Sequence, residues 1–168
     1  LDGATLYAKW TANKYTITFN ENGGSEVIDV TTDYQAEIYA PTAPTRSGYT
    51  FGGWYSDEAL TQAFTFDKMP LNGATLYAKW TVNEYTITFN SNGGSSVSDI
   101  KANFNTAITL PTTTRAGYTF AGWYSNETLT DAFTSTTMPV NGATLYAKWT
   151  VKQYTITFVT GGGTEIAP

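Results

Sequence analysis

One pentapeptide, Leu-Tyr-Ala-Lys-Trp, occurs three times, at 6–10, 76–80 and 145–149, and a second, Tyr-Thr-Ile-Thr-Phe, occurs at 15–19, 85–89 and 154–158. Both recur at offsets of 70 and then 69 residues. A fixed period of this length marks a tandem array, in which one supersecondary unit is copied along the chain. It also bears on function. Copied modules suit length, spacing or multivalent contact, whereas catalysis normally needs one asymmetric site.

The period defines two full modules, 15–84 and 85–153. Residues 1–14 match the C-terminal end of a preceding repeat, and 154–168 match the start of a following one. Roughly two-thirds of aligned positions are identical between the full copies, as expected of duplicated units. The one length change sets Pro41-Thr42-Ala43-Pro44-Thr45-Arg46 against Pro111-Thr112-Thr113-Thr114-Arg115. A Pro/Thr-rich surface loop tolerates such a change. Because both ends stop inside a copy, the sequence reads as a window on a longer protein.

Each module is near the lower size limit for an independent core, and an aromatic content of 15% compensates, since every ring buries a large area. Nine basic against fourteen acidic residues give a net charge of −5, without a Lys/Arg cluster. That argues against nucleic acid as a partner. Threonine beside Tyr, Ile, Val and Phe in short runs is a β-rich composition. The 168 residues include no cysteine, so disulfides and thiolate metal sites are excluded. No apolar run approaches the length of a membrane span, and no signal peptide is visible, so membrane insertion by this segment is not expected.

Within a module, Tyr15, Ile17 and Phe19 alternate with threonines, the pattern of a half-buried strand. Asn22-Gly23-Gly24 supplies the positive-φ residues of a turn, and a second strand is expected over 26–30 with Val27 inward. A weaker strand is expected within 34–44. The next strand, Gly48 to Tyr55, places Tyr49, Phe51 and Tyr55 on one side and Trp54 with Thr50 and Gly52 on the other. Ser56 to Phe64 reads as a short helix: Ser56 or Asp57 caps it, Asp57 and Glu58 suit its dipole, and Leu60, Ala63 and Phe64 share a face. Ser125 to Phe133 repeats the scheme with Asn126 for Asp57. Asn72-Gly73 turns the chain into the last strand, where Leu76, Ala78 and Trp80 point inward and Thr75, Tyr77 and Lys79 outward. The fold class read from these elements is α+β, β-rich, with one short helix per module. Only Thr81-Val82-Asn83-Glu84 links the expected last strand of one copy to the first of the next, which predicts a semi-rigid rod.

The absence of histidine and cysteine removes Ser-His-Asp and Cys-His nucleophile systems and histidine zinc sites together. No Asp-x-Asp-x-Asp-Gly spacing suggests calcium, and Asn22-Gly23-Gly24 and Gly161-Gly162-Gly163 lack the lysine and helix of a phosphate loop. No enzyme, no cofactor and no metal site is expected. The aromatics are the open signal. Trp54-Tyr55 and Trp123-Tyr124 either form a stacking platform for a sugar ring or fill a small core. Tyr77 and Lys79, with Tyr146 and Lys148, lie on the expected outer face of the last strand and are the stronger candidates for partner contact.

The series Tyr-Thr-Ile-Thr-Phe-Asn-x-Asn-Gly-Gly, then Arg-x-Gly-Tyr-Thr-Phe-x-Gly-Trp-Tyr, then Thr-Leu-Tyr-Ala-Lys-Trp resembles the Listeria–Bacteroides repeat, the B repeat of internalin-type surface proteins. The resemblance covers effectively the whole chain. It implies a β-grasp, ubiquitin-like fold in each repeat and a place in secreted or wall-anchored bacterial proteins, between an adhesive domain and the cell surface. It carries over no catalytic residue. Gln35 and Asn105 stand where many members of the family have glycine.

Two functions follow as expectations. One is a structural stalk or spacer of an extracellular, cell-surface or secreted adhesin, its partners being neighbouring repeats of the same chain. The other is a multivalent binding module for host glycan or protein through exposed aromatics. The partial copies at each end leave unpaired strand edges, so these ends are expected to dock on the adjacent module or to associate end to end between molecules.

Overall fold

The computed structural model describes residues 3–164, and the chain divides into two units, Leu1–Asn83 and Glu84–Pro168. In the first, β1 (Lys14–Asn20), β2 (Val30–Asp33), β3 (Tyr49–Tyr55) and β4 (Ala74–Val82) form one sheet in the order β2-β1-β4-β3. The β1–β2 and β3–β4 pairs are antiparallel, while the central β1–β4 pair is parallel with Ile17 opposite Ala74 and Asn20 opposite Tyr77. The second unit repeats this with β5 (Glu84–Asn90), β6 (Ile100–Asn103), β7 (Tyr118–Tyr124) and β8 (Ala143–Val151), in the order β6-β5-β8-β7.

The alternation in the strand sequences decides which face is buried. Ile17, Phe19, Leu76 and Ala78 are all at most 6% exposed and form the sheet's share of the first core. The other side of that core comes from irregular segments, which contribute Ile38, Phe64, Phe66 and fully buried Met69. An isolated antiparallel backbone β-bridge between Glu37 and Lys68 fixes two of these segments together.

The helix expected over Ser56–Phe64 does not form, so the fold class is all-β and not α+β with a helix in each module, the class read from the sequence and carried by the β-grasp expectation. Asp57, which reads as a helix cap, instead accepts from the backbone amides of Thr61 and Gln62 at 2.7–3.1 Å and closes a loop. Local side-chain acceptors of this kind compete with helix. Leu60 takes φ +56°, a left-handed conformation that no α-helix contains. The loop is held by Ser56 N donating to Gln62 O and Phe64 N to Trp54 O, with a bridge between Tyr55 and Ala63. Leu129 and Asn126 reproduce it in the second module.

Three further expectations are corrected. The second strand lies at Val30–Asp33 and not 26–30, because side chains stand in for the ladder before it: Glu21 Oε1 accepts from Val27 N and Asp29 Oδ1 from Phe19 N. In β3, Phe51 and Trp54 share the core side although they are an odd number of residues apart. The register shifts between them in a β-bulge, and Gly53 there has φ +102°. Within 34–44 the chain forms no strand, only the isolated bridge at Glu37.

Residues 3–13 form no strand, and Leu6, Tyr7 and Trp10 are about 90% exposed. Tyr154, Ile156 and Phe158 are also exposed. Docking of these partial copies on a full module is therefore not seen among the described residues. Residues 1–2 and 165–168, the outermost parts of the two expected partial repeats, lie outside the described residues.

Candidate functional site

Each module presents two arrangements of charged and aromatic side chains, and both are built on its last strand. The first is the outer face. Tyr77 and Lys79 alternate with the buried Leu76 and Ala78, so the sheet turns them away from the core. Lys79 Nζ sits 4.7 Å above the Tyr55 ring and within 3.4 Å of its hydroxyl. In the second module Lys148 Nζ is 4.6 Å above the Tyr124 ring and donates to Leu129 O. Tyr146 donates to Glu127 Oε1 at 3.2 Å, and partial desolvation followed by that carboxylate pushes its hydroxyl above the ordinary tyrosine value. These candidates are half-buried, and Lys79, Tyr146 and Lys148 are already engaged with neighbours on β3 or β7 and the loop that follows.

Trp54 and Trp123 are 5% and 4% exposed and belong to the cores. Trp54 packs at a tilt against Phe19 at 4.7 Å and edge-on against Phe51 at 5.4 Å, and Trp123 repeats this with Phe89 and Phe120. Neither indole offers a face to a sugar ring. The structure brings Tyr77 and Lys79 together, and Tyr146 and Lys148, but leaves the tryptophans on the other side of the sheet.

The second arrangement surrounds the Asn-Gly-Gly turn and was not singled out in the sequence. Asn22 Nδ2 donates to Ala78 O at 2.8 Å, Trp80 Nε1 to Glu21 O at 2.8 Å, and Arg46 Nη1 to Asn22 O at 3.0 Å. A Cβ on Gly24 would lie 2.5 Å from the Trp80 ring, which explains the second glycine of the motif. Arg46 also lies 4.0 Å over the Tyr49 ring, a cation–π contact. The second module repeats the clamp through Asn92, Trp149 and Arg115, the latter 3.9 Å over Tyr118. A signal was present: the chain's only two arginines occupy equivalent positions, each three residues before a tyrosine.

Among the described residues there is no group of three or more carboxylates placed to hold a metal, and no helix long and apolar enough to cross a membrane. Among the described residues, Asp57 is the one carboxylate with a clear shift. The Gln62 amide above all, helped by Thr61 and opposed by partial desolvation, holds it below the usual value of 3.8. Its hydrogen bonds are all within its own loop, so its role there is structural.

Each unit is a four-stranded sheet whose turn and last strand are clamped together, and the second repeats the first. The chain belongs to the Listeria-Bacteroides repeat domain family, which matches residues 15–79 and 85–148. Over 166 residues it is 43% identical to a Gly-rich membrane protein of Evansella cellulosilytica and 44% identical to a second membrane protein of that organism, in each case across 97% of this chain. Across 81% of its length it is 38% identical to Internalin H of Listeria monocytogenes. The chain spans about a fifth to a quarter of the length of these curated relatives, 19% of the first and 25% of the other two.

Proposed function

We propose that this chain is a stalk or spacer segment of a bacterial cell-envelope protein, a non-catalytic run of repeats that holds a distal adhesive domain away from the surface. One observation carries the reading: the same self-contained sheet is completed twice, and a single residue, Asn83, separates the end of β4 from the start of β5. A connection that short offers few free torsions compared with a flexible linker. The relatives named as membrane proteins and as an internalin support the envelope setting. Small-angle scattering tests the reading. Chains of two, three and four modules should lengthen by a constant increment per module, and a compact or widely distributed profile would overturn it. Protease accessibility on intact cells of the source bacterium tests the location, with exposure of the repeats expected.

Multivalent binding through the outer faces is the alternative. What favours it is the recurrence of the Lys–Tyr pairs Lys79–Tyr55 and Lys148–Tyr124 at the same place in each module. What favours the spacer is that these side chains are already satisfied within the module and that Trp54 and Trp123 are buried. A glycan-array signal lost on changing Tyr77 and Tyr146 to alanine would decide for binding.

A further inference from the structure

An open groove of about 290 Å³ lies on the second module, beside the Arg115 clamp. Phe120 and Trp149, half-buried and 5.5 Å apart, line it together with the Arg115–Tyr118 stack, Thr114 and Lys152. Two cations line this groove and no carboxylate does. Among the described residues the one ion pair is Lys14–Asp33, so neither Arg115 nor Lys152 has a carboxylate within 4.0 Å. Arg115 gives one N–H to Asn92 O, which leaves further guanidinium donors for a ligand.

The first module lacks this combination. Asn83 stands in place of Lys152 and is hydrogen-bonded to Thr50 Oγ1 at 2.6 Å, and Pro44 replaces Thr113. Residues 15–84 carry nine acidic and three basic side chains, whereas 85–153 carry three acidic and four basic. The groove is thus a cationic spot in an acidic chain, and its field selects an anion. Aromatic ring surface suits the apolar face of a pyranose, a threonine hydroxyl suits its hydroxyls, and a planar guanidinium suits a carboxylate.

We propose that this groove is a subsite for a carboxylated sugar, a uronate residue of an acidic polysaccharide. The ring packs on Trp149 and Phe120, and the carboxylate meets Arg115 and Lys152. The site is independent of the spacer reading, since either holds without the other.

The test is an NMR titration of the 168-residue chain with tetragalacturonate. Amide shifts should be confined to 113–120 and 149–152, with a dissociation constant on the order of 1 mM that weakens with salt. The fully methyl-esterified tetramer, which has no charge, should not bind. Lys152→Asn should weaken binding about three- to fivefold, the range of an exposed charge contact, while leaving the fold's amide pattern intact. Asn83→Lys should bring new shifts at 45–51 and 80–83. Absence of shifts, equal shifts with the ester, or an unchanged affinity in Lys152→Asn would overturn the proposal. Equal binding of tetraglutamate would also overturn it, by assigning the groove to acidic peptides. The scattering series above is unaffected by any of these results, so the two readings fail separately.

Discussion

In the first module the indole N–H of Trp54 is buried without an acceptor, whereas in the second Trp123 Nε1 donates to the Pro111 carbonyl at 2.7 Å. The strands around the two indoles share one topology. What differs is the preceding loop, which has one residue more in the first module and a proline at 44. The shorter loop also buries Thr113, whose hydroxyl donates to Ser95 O at 2.7 Å. Core filling differs too. The first module packs Phe66 against Phe19 and Phe64, where the second has Ser135, and the second packs Leu110 where the first has Ala40. The sheet is therefore specified by its strands and clamp, while the loops that cover it vary in length, bulk and hydrogen bonding.

If that frame is shared, the same lesion should break both modules. A Cβ on Gly73 would lie 2.0 Å from Thr16 O, at φ +70°, and one on Gly142 would lie 2.0 Å from Thr86 O. Gly73→Ala and Gly142→Ala should each cost more than about 4 kcal/mol, beyond the usual range for one substitution. Amide hydrogen exchange, read separately on peptides of each module, should show loss of protection in the altered module alone. Protection kept in either would refute the equivalence. Met69→Ala and Met138→Ala, at fully buried equivalent sites, should each cost about 2–5 kcal/mol. Costs that differ widely between the two would show that the covers, not the frame, set core density.

The loop difference predicts a smaller effect. Deleting Ala43 and changing Pro44→Thr gives the first module the second's loop and should bring Trp54 Nε1 an acceptor. A gain of about 1–2 kcal/mol is expected, because an unsatisfied buried donor is relieved. No gain in a denaturant melt would mean that the strands around Trp54, not the loop, withhold the acceptor. The smallest effect concerns acid. Asp57 has a folded pKa below its ordinary value, so its contribution is present above about 3.8 and is lost as pH falls through the lower folded value. Asn126 occupies its place in the second module and cannot titrate. Asp57→Asn should therefore flatten the first module's stability below pH 4, leaving neutral-pH stability nearly unchanged, as followed by circular dichroism. An unaltered acid profile would remove Asp57 from the account.

Period-two alternation made β1 and β4 readable, and with them the outward placement of Tyr77 and Lys79. The positive-φ requirement was readable at Asn72-Gly73, and Gln35 and Asn105 keep φ +64° and +61° although neither is glycine. The loop at 56–64 is not legible locally, because its residues satisfy a helix pattern equally well. Its left-handed Leu60 accompanies a tertiary bond, Phe64 N to Trp54 O, that no local pattern announces. The β3 bulge moved Trp54 to the core side for the same reason. The Arg115 groove was hidden because it gathers side chains from two segments that lie far apart in the chain, one ending at Phe120 and the other starting at Trp149. Only the substitution of Lys152 for Asn83 between copies hinted at it.

The parallel pairing of β1 with β4 has a mechanical consequence. The chain enters a module at Lys14 and leaves at Val82, at opposite ends of two neighbouring strands joined through the register from Ile17–Ala74 to Asn20–Tyr77. A pull on the two ends loads those hydrogen bonds side by side, in shear, so several must rupture together. Antiparallel terminal strands would instead peel apart one bond at a time. Each module is wired to resist tension along its own strand axis, and single-molecule pulling would read this as a high unfolding force relative to its thermodynamic stability.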